Sequence, residues 1–183
     1  GAGSPQTVAI AEQPLLRVWS TPEAISTVRA NTSQGVSTRI GQAVTVRGVV
    51  TVSDELVTSA GTRGPSYLQD GTAGIAAFSP TGVAAAVETG EEVILLGRMD
   101  QFFGLNQLDA STVVVDRLGT PAPVQPLVRT LAQIASDGAG GIEQYEGRLV
   151  RIDGVTVNTA VWTASGSGTN YELSGPTGTL PVR

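Results

Sequence analysis

Short apolar stretches separated by glycine and proline run along most of the chain, and they predict β-strands. Val, Ile, Leu and Thr alternate with polar residues or form brief runs, as in "QAVTVRGVVTVS" and "EEVILLGRMDQFF". Five such closely spaced strands indicate one small barrel or sandwich, so the pattern predicts an all-β fold with short helices. The predicted strands cover residues 42–53, 66–69, 74–79, 92–102 and 108–118.

Two short helices are predicted from the residues at which they begin. "STPE" at residues 20–23 offers a serine cap, an early proline and a glutamate, and "TLAQ" at residues 130–133 offers a threonine and glutamine capping box. A weaker third candidate is "GVAAAVE" at residues 82–88.

Three segments recur in the same order. "QPLLR" returns as "QPLVR", "GQAVTVRGVVTV" as "GRLVRIDGVTV", and "YLQDGTAGIAAF" as "YELSGPTGTLPV". The spacing is domain-sized, so the repeat predicts tandem modules and not a solenoid. We expect an N-terminal extension with a short capped helix at 1–34, a β module at 35–124, and a linker helix with half of a second module at 125–183.

The second predicted copy lacks counterparts of the last two strands of the first. A half barrel would expose open edges and part of its core. Either the natural protein continues beyond residue 183, which is the interpretation we favour, or another segment or chain completes the second copy.

The stretch "DGTAG" at residues 70–74 allows two interpretations, a ligand loop or a tight turn between two strands. Its counterpart replaces Asp70 with Ser174 and keeps both glycines. We therefore interpret Gly71 and Gly74 as the residues that make a hairpin turn.

The composition argues against catalysis. The chain has no cysteine and no histidine, and all its basic residues are arginine. It therefore lacks a thiolate nucleophile, a Ser-His-Asp triad and a Schiff-base lysine, and we expect neither an enzyme, nor a metal site, nor a cofactor. The neighbouring carboxylates Asp54–Glu55 and Glu91–Glu92 lie at strand ends, where side chains point to opposite faces, so we expect a solvated surface.

The charge argues against a broad nucleic-acid surface. Sixteen acidic residues against 11 basic ones give a net charge of −5, whereas nonspecific binding needs many basic contacts to phosphate. A local arginine patch that binds nucleic acid is still an alternative, although a salt-bridged surface is the simpler interpretation of the arginines. No apolar run is long enough for a membrane helix.

Few aromatic residues are available to stack on bases. Phe102 and Phe103 are adjacent, so we expect one ring to face the core and the other the solvent. Tyr67 and Phe78 would lie on the second and third strands. For any one ring, core packing is the simpler interpretation.

The order of "GQAVTVRGVVT", "YLQDGTAGIAAFSP", "GEEVILLGRMDQFFGLNQL" and "YEGRLVRIDGVTV" resembles the OB-fold module found beside the catalytic domain of secreted bacterial nucleases and related surface proteins. The resemblance implies a five-stranded Greek-key OB-type barrel, followed here by a partial second copy. It implies a binding face on the second and third strands, with Tyr67, Gln69, Ala76 and Phe78, and flanking loops at 53–64 and 102–107. It also implies an extracellular, periplasmic or cell-surface location.

We therefore expect a noncatalytic module of a larger protein that weakly binds single-stranded DNA or RNA for an attached nuclease domain. The alternative is a structural spacer or protein-interaction module without a nucleic-acid ligand. The oligomeric state is open, and other domains of the same protein are possible partners. The candidate nucleic-acid-binding residues are Arg47, Arg63, Tyr67, Gln69, Phe78, Arg98, Phe102, Phe103 and Asn106.

Overall fold

The computed structural model describes residues 20–53, 64–78, 87–141, 143–158 and 170–182. The helices are α1 (Ile25–Val28) and α2 (Leu131–Ala135). The strands are β1 (Ala43–Val52), β2 (Ser66–Gln69), β3 (Gly74–Ala77), β4 (Glu92–Phe102), β5 (Leu105–Leu108), β6 (Val113–Gly119), β7 (Leu127–Val128), β8 (Val150–Arg151), β9 (Thr156–Val157), β10 (Tyr171–Gly175) and β11 (Gly178–Val182).

Five strands close into a barrel. Hydrogen-bonded neighbours follow the order β1-β2-β3-β5-β4, and β4 pairs back with β1 from Ala43 opposite Arg98 to Val49 opposite Glu92. The β3–β5 pairing is parallel and the other four are antiparallel. β6 extends the sheet along β4. The predicted all-β, OB-type barrel is confirmed.

The core follows from the alternation of apolar residues along the strands. One face of β1 and one face of β4 are apolar, and residues on the same face of a strand recur at every second position. α1 packs against β1 and β3 and adds Ile25 and Val28, so this helix belongs to the barrel. The fully buried aliphatic side chains include Ile25, Val44, Val46, Leu68, Ile75, Val93, Leu95 and Leu108.

The predicted fifth strand at 108–118 corresponds to β6 and shares only Leu108 with β5, so the fifth strand of the barrel was predicted in the wrong place. After β5, the Asp109 carboxylate accepts a hydrogen bond from the Ser111 N–H (2.9 Å), and the Thr112 N–H donates to the Asp109 carbonyl (3.1 Å). This turn interrupts the ladder before β6. The predicted loop at 102–107 is also wrong, because Phe103 and Gly104, with φ of 49° and 90°, turn the chain within two residues.

The two helices begin differently. α2 has the predicted capping box: the Gln133 N–H donates to the Thr130 hydroxyl, and the Thr130 N–H donates to the Gln133 side chain. The predicted Ser20 cap of the first helix is wrong, because α1 starts at Ile25 and the Ser20 hydroxyl contacts that of Thr45. Most of the third candidate, at 82–88, lies outside the described residues.

The described residues between 127 and 182 build a smaller arrangement around α2. β7 pairs with β8 in parallel, and β9, β10 and β11 form an antiparallel sheet on which α2 packs. Both predicted copies contain a hairpin, but the hairpin turns differ. Gln69 pairs with Gly74 across a four-residue loop, whereas Gly175 pairs with Gly178 across two residues.

Neither described helix has the length and apolar character needed to cross a bilayer.

Candidate functional site

The outer face of the β2–β3 hairpin is where an OB-type barrel usually binds its ligand. Leu68, Ile75 and Ala77 belong to the core, so the alternating positions Tyr67, Gln69 and Ala76 face outward. Ala76 is nevertheless 0% exposed and Gln69 only 7% exposed. This face is therefore not open to solvent.

Residues 143–149, which we name the cover segment, lie over this face. Gly147 packs directly against Gly74, so closely that a methyl group on Gly74 would overlap the Gly147 carbonyl. The Leu149 N–H donates to the side-chain oxygen of Gln69 (2.8 Å). The cover segment thus takes the place that a ligand would occupy on the hairpin.

A buried ion pair anchors the cover segment. The Glu146 carboxylate pairs with the Arg29 guanidinium and accepts a hydrogen bond from the Asn106 N–H (2.7 Å). The same guanidinium donates to the carbonyls of Gly74 and Glu146 (2.8 Å each) and of Glu143 (3.1 Å). Removing one partner of a buried pair leaves an uncompensated charge, so the cover segment is held strongly.

Two ionisable groups near Glu146 have shifted pKa values. Burial, and next the negative charge of Glu146, raise the pKa of the Tyr67 phenol. Burial and the same charge also raise the pKa of the Glu143 carboxyl. Both shifts follow from placing ionisable groups in a partly desolvated space near a carboxylate.

The Asp70 turn is structural. Its carboxylate accepts hydrogen bonds from the backbone N–H groups of Ile25 (2.9 Å), Thr72 (2.7 Å) and Ala73 (2.9 Å). Partial burial raises the pKa of Asp70, but the hydrogen bonds outweigh it and hold the pKa below its usual value. Asp70 therefore caps α1 across space and shapes its own hairpin turn.

The predicted role of the two glycines in this turn is wrong, although the hairpin itself is confirmed. Neither Gly71 nor Gly74 has a positive φ. Gly71 has open space around it, and Gly74 is required by the contact with Gly147.

The candidate arginines do not form a basic patch among the described residues. Arg47 makes a two-pronged pair with Glu92 (2.9 and 3.1 Å), and Arg98 donates to the Gly41 carbonyl (2.5 Å). Arg63 lies outside the described residues. Glu91 pairs with Arg117, so both Glu91 and Glu92 are salt-bridged. Asp54 and Glu55 lie outside the described residues.

Two aromatic rings stand at the tip of the β4–β5 hairpin. Phe102 is 58% exposed and Phe103 95%, with their ring centres 4.5 Å apart in an edge-on arrangement. The expectation that one ring faces the core is wrong, because Phe103 lies in the turn and not in the strand. Phe78 is half-buried, and its N–H donates to the Leu108 carbonyl (2.9 Å).

The candidate residues therefore separate into three places. Tyr67, Gln69 and Asn106 lie at or beneath the cover segment, and Asn106 is fully buried. Phe102 and Phe103 form the exposed tip. Arg47 lines an open groove of about 610 Å³ beside α1, together with Glu23 and Glu92, and Gln69 borders this groove as well as the cover segment.

Sequence reasoning missed the pair that organises the site. Arg29 and Glu146 are 117 positions apart, and neither lies in a recognisable motif. Among the described residues, no group of three or more acidic side chains is arranged to hold a metal ion.

Comparisons with protein-family models, with curated proteins and with solved structures give no match.

Proposed function

We propose that this chain is a noncatalytic module of a larger secreted or surface protein, in which the barrel is a rigid building block and a protein-interaction module. The observation that supports the proposal is the cover segment. The usual ligand face of the barrel is already occupied by the chain's own residues 143–149, with Gln69 and Ala76 buried beneath it.

The charges support the same proposal. Arg47 is paired with Glu92, Arg29 with Glu146, and the chain as a whole carries −5. Weak, sequence-independent binding of nucleic acid depends on arginine or lysine contacts to phosphate, and paired arginines supply few of these. The exposed Phe102–Phe103 tip is the described part of the barrel best suited to contact another protein, because aromatic side chains are enriched at interfaces.

Equilibrium unfolding tests the building-block role. Urea denaturation of the full chain, followed by residue-resolved NMR, reports barrel strands and the β9–β11 sheet separately. If the cover segment joins them into one rigid unit, both regions unfold in a single transition with one midpoint. Two well-separated transitions would contradict the proposal.

The second candidate function is weak binding of single-stranded nucleic acid that serves an attached nuclease domain. The observation in its favour is the exposed pair Phe102 and Phe103, since such rings can stack on bases. Arg98, which is exposed, would supply a backbone contact.

A titration separates the two candidates. Fluorescent oligodeoxythymidine is titrated with the chain at low and at physiological ionic strength, and anisotropy is followed. The interaction-module proposal predicts no binding at either ionic strength. Binding that weakens with salt and is lost in Phe103→Ala would instead establish the nucleic-acid function.

A further inference from the structure

A cavity of about 400 Å³ lies beside the cover segment, between α1, the turn that follows β2, and residues 143–148. Its lining includes Arg29, Asn31, Thr72, Glu143 and Arg148. This volume lies within the range of pockets that hold small organic ligands.

Polar atoms without partners are concentrated in this lining. Five buried side-chain atoms of the described residues have no hydrogen-bond partner, and three of them belong to Arg29 (Nε), Arg148 (Nε) and Asn31 (Oδ1). Buried polar groups nearly always find a partner, so three residues of this lining keep donor or acceptor capacity that a ligand would satisfy after a side-chain rearrangement. Arg29 is 6% exposed and held rigidly, whereas Arg148 and Asn31 are partly exposed and can turn toward a ligand.

One residue of this lining, Arg148, is suited to bind an anion. Glu146 compensates Arg29, but Arg148 has no carboxylate partner among the described residues and makes one long hydrogen bond, from Nη1 to the Thr72 carbonyl (3.3 Å). Glu143 also lines the cavity, and burial raises the pKa of its carboxyl. An arginine that still has free donors is well suited to a planar or tetrahedral oxyanion.

We propose that this cavity binds a small ligand through an oxyanion, either a carboxylate or a phosphate group. The Arg148 guanidinium, whose side chain makes one long hydrogen bond to the described residues, is the principal donor, and Asn31 Oδ1 accepts a hydrogen bond from a ligand hydroxyl. Because the lining joins α1 and the turn after β2 to the cover segment, a bound ligand also ties the cover segment to the barrel. This site is independent of the function proposed above.

The test uses the full chain with inorganic phosphate and with acetate as probes, which distinguish the two oxyanion types. Phosphate stabilises many proteins without binding to a site, so the readout is a saturable change in NMR chemical shifts at the cavity, with chloride at matched ionic strength as the blank. We expect saturation with at least one probe in the unchanged chain.

The variants assign the binding to the cavity. Arg148→Gln is expected to weaken it about tenfold or more, since a charge-assisted hydrogen bond is lost. Arg148→Lys keeps the charge but loses the planar fork of the guanidinium. Its affinity for the probe should therefore lie between that of the unchanged chain and that of Arg148→Gln. Arg98→Gln, the matched control on β4, should bind as the unchanged chain does. Thermal unfolding checks that each variant is folded.

Two outcomes would overturn the proposal. One is the absence of a saturable shift with both probes in the unchanged chain. The other is binding that is equally strong in Arg148→Gln and in Arg98→Gln, because it would then lie elsewhere.

Discussion

The backbones of Gly74 in β3 and Gly147 in the cover segment touch, with no room for a side chain at Gly74. They join the OB-type barrel to the chain that follows it. This contact explains why residue 74 is a glycine, which the sequence alone indicates only as a turn residue.

Replacing Gly74 by alanine is expected to destabilise the protein. The added methyl group overlaps the Gly147 carbonyl, which is backbone and cannot rotate away, so the cover segment must shift. We expect a cost of about 1–3 kcal/mol in the free energy of unfolding, typical of overpacking. Urea denaturation measures it.

Gly71→Ala is the matched control, three residues earlier in the same hairpin. Gly71 has open space around it and an ordinary φ. Its replacement should change the unfolding free energy by no more than about 0.5 kcal/mol. Equal losses in the two variants would contradict the proposed packing at Gly74.

Glu146→Gln is expected to loosen the cover segment and to shift a tyrosine. The change leaves the Arg29 charge buried without its partner, which costs about 3–5 kcal/mol in comparable buried pairs. Because Glu146 contributes to raising the pKa of Tyr67, that pKa should fall toward its usual value in the variant. NMR titration of the Tyr67 ring measures the shift.

Glu172→Gln is the control for this experiment. Glu172 is exposed, accepts a hydrogen bond from the Asn158 side chain (3.0 Å) and does not line the cavity. It should leave both the stability and the Tyr67 titration unchanged. A Tyr67 pKa that does not move in Glu146→Gln would show that the cover segment does not lie over Tyr67.

Asp70→Ala is expected to cost about 1–2 kcal/mol, since the backbone N–H groups of Ile25, Thr72 and Ala73 lose their acceptor. The folded pKa of Asp70 lies below its unfolded value of about 3.9. Its contribution is therefore complete above that value and is lost as the pH falls through the lower, folded pKa. We expect the free energy of unfolding, measured from neutral pH into the acid range, to fall less steeply with pH in Asp70→Ala than in the unchanged chain.

Asp100→Ala serves as the control, because its carboxylate makes no hydrogen bond or ion pair with the described residues. Its acid-side slope should match that of the unchanged chain. An unchanged slope in Asp70→Ala as well would argue against the cap.

Phe103→Gly is expected to leave the stability unchanged or to raise it by up to about 1 kcal/mol. The ring is 95% exposed and makes little packing, while its φ of 49° is unfavourable for a residue with a side chain. Thermal unfolding measures the effect. Leu95→Ala, which empties a core position, should cost about 2–5 kcal/mol by comparison. A large loss in Phe103→Gly would mean that the tip packs against the protein.

The barrel could be predicted because its signals are local. Alternating apolar residues along β1 and β4, and the capping box at Thr130, each act over a few positions. The cover segment could not, because Arg29 and Glu146 meet only after the barrel has formed. The role of Asp70 as a cap of α1 could not be predicted for the same reason, because the N–H of its partner Ile25 lies 45 positions away in the sequence. The prediction that one of the two rings at the tip faces the core was wrong. Side chains alternate between the two faces only in an extended strand, and Phe103 lies in a turn.

Residues 143–149 are a fixed part of the barrel and close its β2–β3 face. Native-state hydrogen exchange tests it at two amides, those of Leu149 and Asn106, which donate to Gln69 and to Glu146 respectively. We predict that both exchange as slowly as amides of β1 and β4 in the barrel wall. If both exchange at the rate of an unstructured peptide while the barrel stays protected, the cover segment does not hold this face closed and the account is contradicted.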